Sequence, residues 1–241
     1  MTEIILQRCG LFDPVVLPRK SKNGKERCVK VFYYLESSAV CEKVWLENGK
    51  IHRKNKPAEI FYFPDGAICQ EVWYQNGKIH RNKDKPAVIT YNENGVVILE
   101  QWCKDGKLHR DKGLPARVGY YPDGAVKYKI WVENGLEHSS GGLSSMFLYP
   151  AGNASVVKFK RHGKFYRPND KPTETRFFEN GTRQAELWQD PKGLLHRKGK
   201  PAVIRYEDCE PVAEEYWEHG KRSWGNFLDS KSDLARTLDL F

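Results

Sequence analysis

Histidine beside arginine is a pairing that can do chemistry. A neutral imidazole takes up a proton, and a neighbouring guanidinium can hold a carboxylate or phosphate in its fork of N–H donors. The chain carries this pair at His52–Arg53, His80–Arg81, His109–Arg110 and His196–Arg197. Each pair lies between a turn and a lysine-bearing run that ends in proline. The copies read "NGKIHRKNKPA" at 48–58, "NGKIHRNKDKP" at 76–86, "DGKLHRDKGLPA" at 105–116 and "GLLHRKGKPA" at 193–202. In "GKFYRPNDKPT", 163–173, Tyr166 takes the histidine place, and at His138 the following residue is Ser139.

A catalytic centre needs one nucleophile or base in a setting of its own. A residue used once per copy answers to what every copy needs. The expectation is a flat ring with a polar tip, packed at a hairpin edge and bonded to the next copy. No ligand pair has the spacing of a metal site, and no cysteine recurs beside the histidine. No phosphate-cradling glycine loop or nucleophile elbow occurs either. The reading is therefore no catalytic residue, no metal and no cofactor.

The lysines suggest a different use. Lys50, Lys54, Lys78, Lys83, Lys107, Lys112, Lys164 and Lys198 share one connector, with Arg53, Arg81, Arg110, Arg167 and Arg197 near them. Stacked copies would gather them at one edge. Such an edge can be a solvated guard against sheet-to-sheet aggregation. It can also dock a polyanion, whether nucleic acid, anionic lipid or an acidic protein. Glu71, Glu100, Glu186 and Glu215 stand two residues before a tryptophan and offer the arginines a charge-assisted bond. One connector breaks the pattern: "GLEHSSGGLSSMFLYPAG", 135–152, lacks Lys-Pro-Ala and leaves an uncharged gap. It reads either as drift in a tolerant loop or as a specific partner contact.

The elements that position these residues follow from a repeat. Trp45, Trp73, Trp102, Trp131, Phe159, Trp188 and Trp217 are spaced 28 or 29 residues apart. Gly66, Gly95, Gly124, Gly152 and Gly181 each precede their aromatic by seven. After each proline comes a strand whose alternate positions are constant: Ala58/Ile60/Tyr62, Ala87/Ile89/Tyr91, Ala116/Val118/Tyr120, Ala202/Ile204/Tyr206. A period of two puts that set on one face. It is expected to be buried, with the variable residues between in solvent. A "PDG" or "ENG" turn leads to a second strand, which ends at the aromatic.

One hairpin cannot bury its own face. The expected fold is all-β, an elongated, twisted antiparallel array of stacked hairpins sharing a seam. That seam comprises the seven aromatics above with Tyr62, Tyr91, Tyr120, Tyr149, Phe177 and Tyr206. Boundaries fall at 1–22 for an N-terminal cap segment, 23–221 for about seven repeats and 222–241 for a C-terminal cap. In "SKSDLARTLDLF", Ser230 can cap a short amphipathic helix over 231–240 that presents Leu234, Leu238 and Phe241.

A unit built on "DG…E-x-W…NGK" with "HR…KPA" resembles the MORN repeat in a divergent form. Tandem arrays of this kind are similar to the multigene MORN-variant proteins of Marseillevirus-type large DNA viruses. The resemblance covers about three quarters of the chain. It implies a twisted, elongated antiparallel sheet and no particular reaction. With no catalytic motif in the chain, the expectation is a non-enzymatic scaffold for protein–protein interaction or assembly, in the virion or the infected cell. The partner would be another protein or a second copy, with nucleic acid or anionic lipid as the alternative.

Composition fits an unexported chain. Forty Lys+Arg against 31 Asp+Glu give a net charge of +9, which favours acidic partners. No apolar run reaches the ~20 residues of a membrane span. Glu3 and Arg8 interrupt the opening apolar patch, so no secretory signal is expected. The six cysteines form no C-x-x-C pair and suit a reduced, intracellular setting. Cys41 and Cys69 share one repeat position and read as small buried hydrophobes.

Overall fold

The computed structural model describes residues 15–19, 26–35, 37–140 and 142–223. The expected C-terminal helix and most of the N-terminal cap segment lie outside these residues. The chain divides into two compact units, Met1–Asp111 with Ala116–Ala125, and Lys112–Pro115 with Val126–Phe241. The described residues are all-β; none is helical, so no helix is long and apolar enough to cross a membrane.

In the first unit the long strands are β1 (Val15–Arg19), β2 (Arg27–Tyr33), β3 (Val40–Glu47), β4 (Glu59–Tyr62), β5 (Ile68–Val72), β6 (Val88–Tyr91), β7 (Val97–Gln101) and β8 (Arg117–Tyr120). Each pairs antiparallel with the next. In the second unit β9 (Val126–Ile130), β10 (Leu143–Leu148), β11 (Ala154–Arg161), β12 (Glu174–Phe177), β13 (Arg183–Leu187), β14 (Val203–Glu207) and β15 (Glu210–Glu215) do the same.

Two kinds of turn alternate. Between β4 and β5, Gly66 donates to the Phe63 carbonyl at φ +89°, and Phe63 donates to Ala67. This three-residue turn ends in a bulge, and the β4–β5 register shifts beside it. After the aromatic, Asn76 and Gly77 both adopt positive φ, 52° and 81°, closing a two-residue hairpin between Tyr74–Gln75 and Lys78–Ile79. Asparagine tolerates that conformation and glycine meets no Cβ penalty there.

The aromatic is the corner between the two. Trp73 donates its N–H to the Ala87 carbonyl in the long sheet, and its own carbonyl accepts from His80 in the short hairpin. Trp45, Trp102, Trp131, Phe159 and Trp188 repeat the arrangement. Ala58, Ala87, Ala116 and Ala202 are wholly buried where the next strand begins, and Ser144 and Thr173 fill the same place.

Burial corrects the one-faced expectation. Ala58, Ile60 and Val118 of the constant set are buried, but so are the variable residues Phe61, Val88, Thr90 and Val203. Phe61, Cys69, Val72 and Val88 form a cluster, and Phe63, Tyr74 and Ile79 pack against it. Tyr74 and Ile79 belong to the short hairpin, which therefore folds back over the face expected to meet water. At the corresponding position of the second unit a charge network holds a buried carboxylate. Glu174 is 3% exposed, 3.3 Å from Lys158 Nζ and 2.8 Å from Arg176 Nε.

A carboxyl pair lies in the first unit. Glu59 accepts from the Tyr74 hydroxyl at 3.0 Å and faces Glu42, whose own carboxyl burial pushes up to about 7. Burial raises Glu59 as well. The unfolded chain thus ionises first, so stability falls as pH rises from the ordinary 4.5 to about 7, then levels off. Glu42→Gln is expected to raise stability at pH 8 by about 1 kcal/mol, discounted for the water that reaches the pair. At pH 4 it should change little, which urea unfolding at both pH values would show.

Candidate functional site

The arginines of the His-Arg pairs are pins. Arg53, Arg81 and Arg110 lie over the rings of Trp45, Trp73 and Trp102 at 4.0, 3.6 and 3.8 Å from the centroids. In the second unit Arg167 covers Phe159 at 3.7 Å and Arg197 covers Trp188 at 3.8 Å. A guanidinium over an aromatic face is held by the ring quadrupole and keeps its in-plane donors free. Those donors reach the carbonyl of the proline that opens the next strand. Arg81 Nη1 lies 3.0 Å from Pro86 O and Arg167 Nη1 lies 2.9 Å from Pro172 O. Burial pulls the Arg81 and Arg167 guanidinium groups below their usual range, while Glu71 and Glu186 push back.

Carboxylates fasten two of these pins from a neighbouring connector. Asp84 receives Arg110 at 2.8 and 3.0 Å, and Asp170 receives Arg197 at 2.9 Å on each oxygen with Lys200 at 2.8 Å. Hydrogen bonds from Arg197 and Lys200 hold Asp170 well down, to about 2. Neither aspartate stood out in the sequence. The only signal was an Asp directly before Lys-Pro, at "KDKP" and "NDKP".

The expected glutamate–arginine bond gives way to another partner. Tyr91 donates its hydroxyl to Glu71 at 2.9 Å, Tyr120 to Glu100 at 2.6 Å and Tyr206 to Glu186 at 2.8 Å. The arginine is turned onto the tryptophan, so the carboxylate meets the tyrosine of the neighbouring long strand. Burial and the carboxylate together push the Tyr91 and Tyr206 phenols up to about 12. Tyr120→Phe is expected to cost about 1–2 kcal/mol by leaving Glu100 short of a donor. Glu100→Gln should cost less, because the amide oxygen still accepts. Paired urea midpoints check the order.

The histidines join one repeat to the next. His52 Nδ1 accepts the Asn76 backbone N–H at 3.2 Å, and His80 Nδ1 accepts that of Asp105 at 3.2 Å. His138 and His196 receive His162 and His219 in the same way, at 3.4 and 3.3 Å. There the turn residue is itself histidine, and the rings stack at 4.3 and 3.9 Å. An accepting Nδ1 places the proton on Nε2. That nitrogen meets Asn82 at 2.8 Å in His80 and Asp111 at 2.9 Å in His109. Among the described residues no three His, Cys, Asp or Glu side chains gather as metal ligands.

The lysines are placed differently. Lys50, Lys54, Lys78, Lys83 and Lys107 in the first unit, and Lys112, Lys164 and Lys198 in the second, are exposed. The ion pairs among the described residues use other lysines, Lys104, Lys158, Lys160 and Lys200. The basic set thus divides into committed arginines and uncommitted lysines.

Of the expected seam, Trp73, Trp102 and Trp188 are buried, while Trp45, Trp131, Phe159, Tyr62, Tyr91, Tyr120, Tyr149, Phe177 and Tyr206 are half-buried. Trp217 is a correction. The Ser223 N–H reaches the Tyr216 carbonyl, and Ala202 donates to Glu215, the residue before it. The corner is therefore Tyr216, and Trp217 belongs to the short hairpin, its indole N–H on Glu215 at 3.0 Å. Trp188 and His196 are eight residues apart where other repeats have seven, but the corner moves the other way. Ala202 to Tyr216 spans fourteen residues where Ala87 to Trp102 spans fifteen, because the turn between β14 and β15 holds two residues, Asp208 and Cys209, instead of three. Glu214, which accepts from Tyr216 at 3.2 Å, stands two residues before the corner, whereas Glu215 carries Arg205 at 2.7 Å.

No family model matches the chain, and no curated protein does.

Proposed function

We propose that the protein is a non-enzymatic scaffold of MORN-like repeats that binds another protein. The resemblance of its motifs makes it a structural component of a virion or an infected cell. One observation carries this reading. The rings and guanidinium groups that could do chemistry are spent on joining repeats, while the connector lysines and the variable connector sequence face outward. Amine-directed cross-linking in the native source should join one recurring protein through Lys54, Lys83 or Lys198. Cross-links spread evenly over unrelated proteins would refute it.

A second reading rests on the exposed lysines alone, a polyanion-binding edge for nucleic acid or anionic lipid. Binding of duplex DNA would then fall by orders of magnitude between about 50 and 200 mM salt. Affinity unchanged over that range rules it out.

A further inference from the structure

The connector that departs from the others opens a cavity. A regular groove in the first unit, walled by Arg53 and Lys54 and floored by Trp73, has a volume of about 380 Å³. In the second unit the corresponding groove is floored by Phe159 and has about 530 Å³. Counting from the histidine, Ser139 and Ser140 stand where the regular wall has Arg53 and Lys54. Two long cationic side chains are replaced by two hydroxyls. Both volumes are within the ~300–1,000 Å³ typical of small-molecule sites, so the lining is what sets this groove apart.

The mouth also differs. Tyr166 replaces the histidine and is exposed, whereas His80 is half-buried. The difference has a local cause. His80 is held by the N–H of the next two-residue turn. The hairpin after Tyr166 is instead a wider loop whose Lys192 and Leu194 N–H groups bond to Asp190. A phenol has no acceptor nitrogen to offer in any case, and the ring swings outward. The Arg161 guanidinium lies 5.8 Å from its centroid, and Lys171 lines the same cavity. No carboxylate lines it. Glu137 and Asp170, near the rim in sequence, are already paired with Lys160 and with Arg197 and Lys200.

An accessible flat ring, two cations and two hydroxyls in a space of this size suit a ligand with a planar ring, a sugar and a phosphate. We propose that the cavity is a site for a nucleoside phosphate. Its base stacks on Tyr166, its phosphate is held by Arg161 and Lys171, and its sugar faces Ser139 and Ser140. Stacking on an aromatic ring tolerates any base, and the cations supply the anion contact. The site goes beyond both readings of the function and rests on neither.

Calorimetric titration of the full chain with the four ribonucleoside 5′-monophosphates tests it. One equivalent is expected to bind. Tyr166→Ala should weaken binding at least tenfold, as should Arg161→Gln combined with Lys171→Gln. All three side chains are exposed, and near-ultraviolet circular dichroism verifies that the variants keep their fold. Lys85→Gln, in the regular groove, should leave binding unchanged. Ribose 5-phosphate and adenosine alone should each bind at least tenfold more weakly than adenosine monophosphate. A pentanucleotide that binds more tightly than a mononucleotide, with the same Tyr166 dependence, identifies a nucleic-acid chain as the source. One that binds no more tightly identifies a free nucleotide. No saturable binding, several equivalents bound, or a Tyr166→Ala chain that binds like the unchanged one would overturn the assignment.

Discussion

Trp73→Ala is expected to cost about 3–5 kcal/mol, the usual range for removing a large buried aromatic. Trp73 is 8% exposed and carries the Arg81 guanidinium at 3.6 Å. Arg81→Ala should cost less, about 1–3 kcal/mol, from the lost ring contact and the Pro86 carbonyl left without its donor. The two losses should not add. With the indole gone the guanidinium has no face to rest on, so the double variant should lie close to Trp73→Ala. A coupling of about 1–2 kcal/mol in the urea-unfolding cycle is the expected signature. Arg81→Lys should recover little of it, because an ammonium cannot lie flat on the ring and reach the carbonyl in its plane. Strict additivity would mean that the stack contributes nothing to holding the repeat.

Ala87→Leu is expected to cost about 1–3 kcal/mol through overpacking. Ala87 has no exposed surface, and its N–H and carbonyl are both engaged, with Gln101 and Trp73. Backbone shifts that would make room must therefore break a ladder bond. Ala87→Ser should be tolerated within about 0.5 kcal/mol. The second unit shows why. Ser144 and Thr173 occupy the equivalent place, and their hydroxyls donate to the Lys158 and Leu187 carbonyls at 3.2 and 3.1 Å. Thermal unfolding of the two variants side by side separates size from polarity. A serine as damaging as leucine would sink the argument.

The strands, the turns and the corner residues were legible because each is dictated locally. Gly66 and the Asn76–Gly77 pair mark backbone conformations that other residues resist, and the alternation of Ala87, Ile89 and Tyr91 marks a pleat. What escaped was set by geometry between repeats. The Tyr91–Glu71 bond joins residues twenty apart, and sequence adjacency pointed to Arg81 instead. The variable face looked solvated because one strand's pattern says nothing of a short hairpin folding back over it. Phe61 and Val88 are buried for that reason. Trp217 misled because a regular count cannot register one residue lost from the turn between β14 and β15. The lysines were found, but their separation from the arginines was not, since both are simply basic until a ring or a carboxylate claims one of them.

The corner peptide, donating to the long sheet and accepting from the short hairpin, makes the chain tolerant of miscounting. The added residue between Trp188 and His196 only widens a loop, and β14 still meets β13 with Ile204 opposite Glu186. Alignment is reset once per repeat rather than inherited from the one before. Recombination at equivalent corners could therefore lengthen or shorten such a gene by whole periods and still encode strands in step.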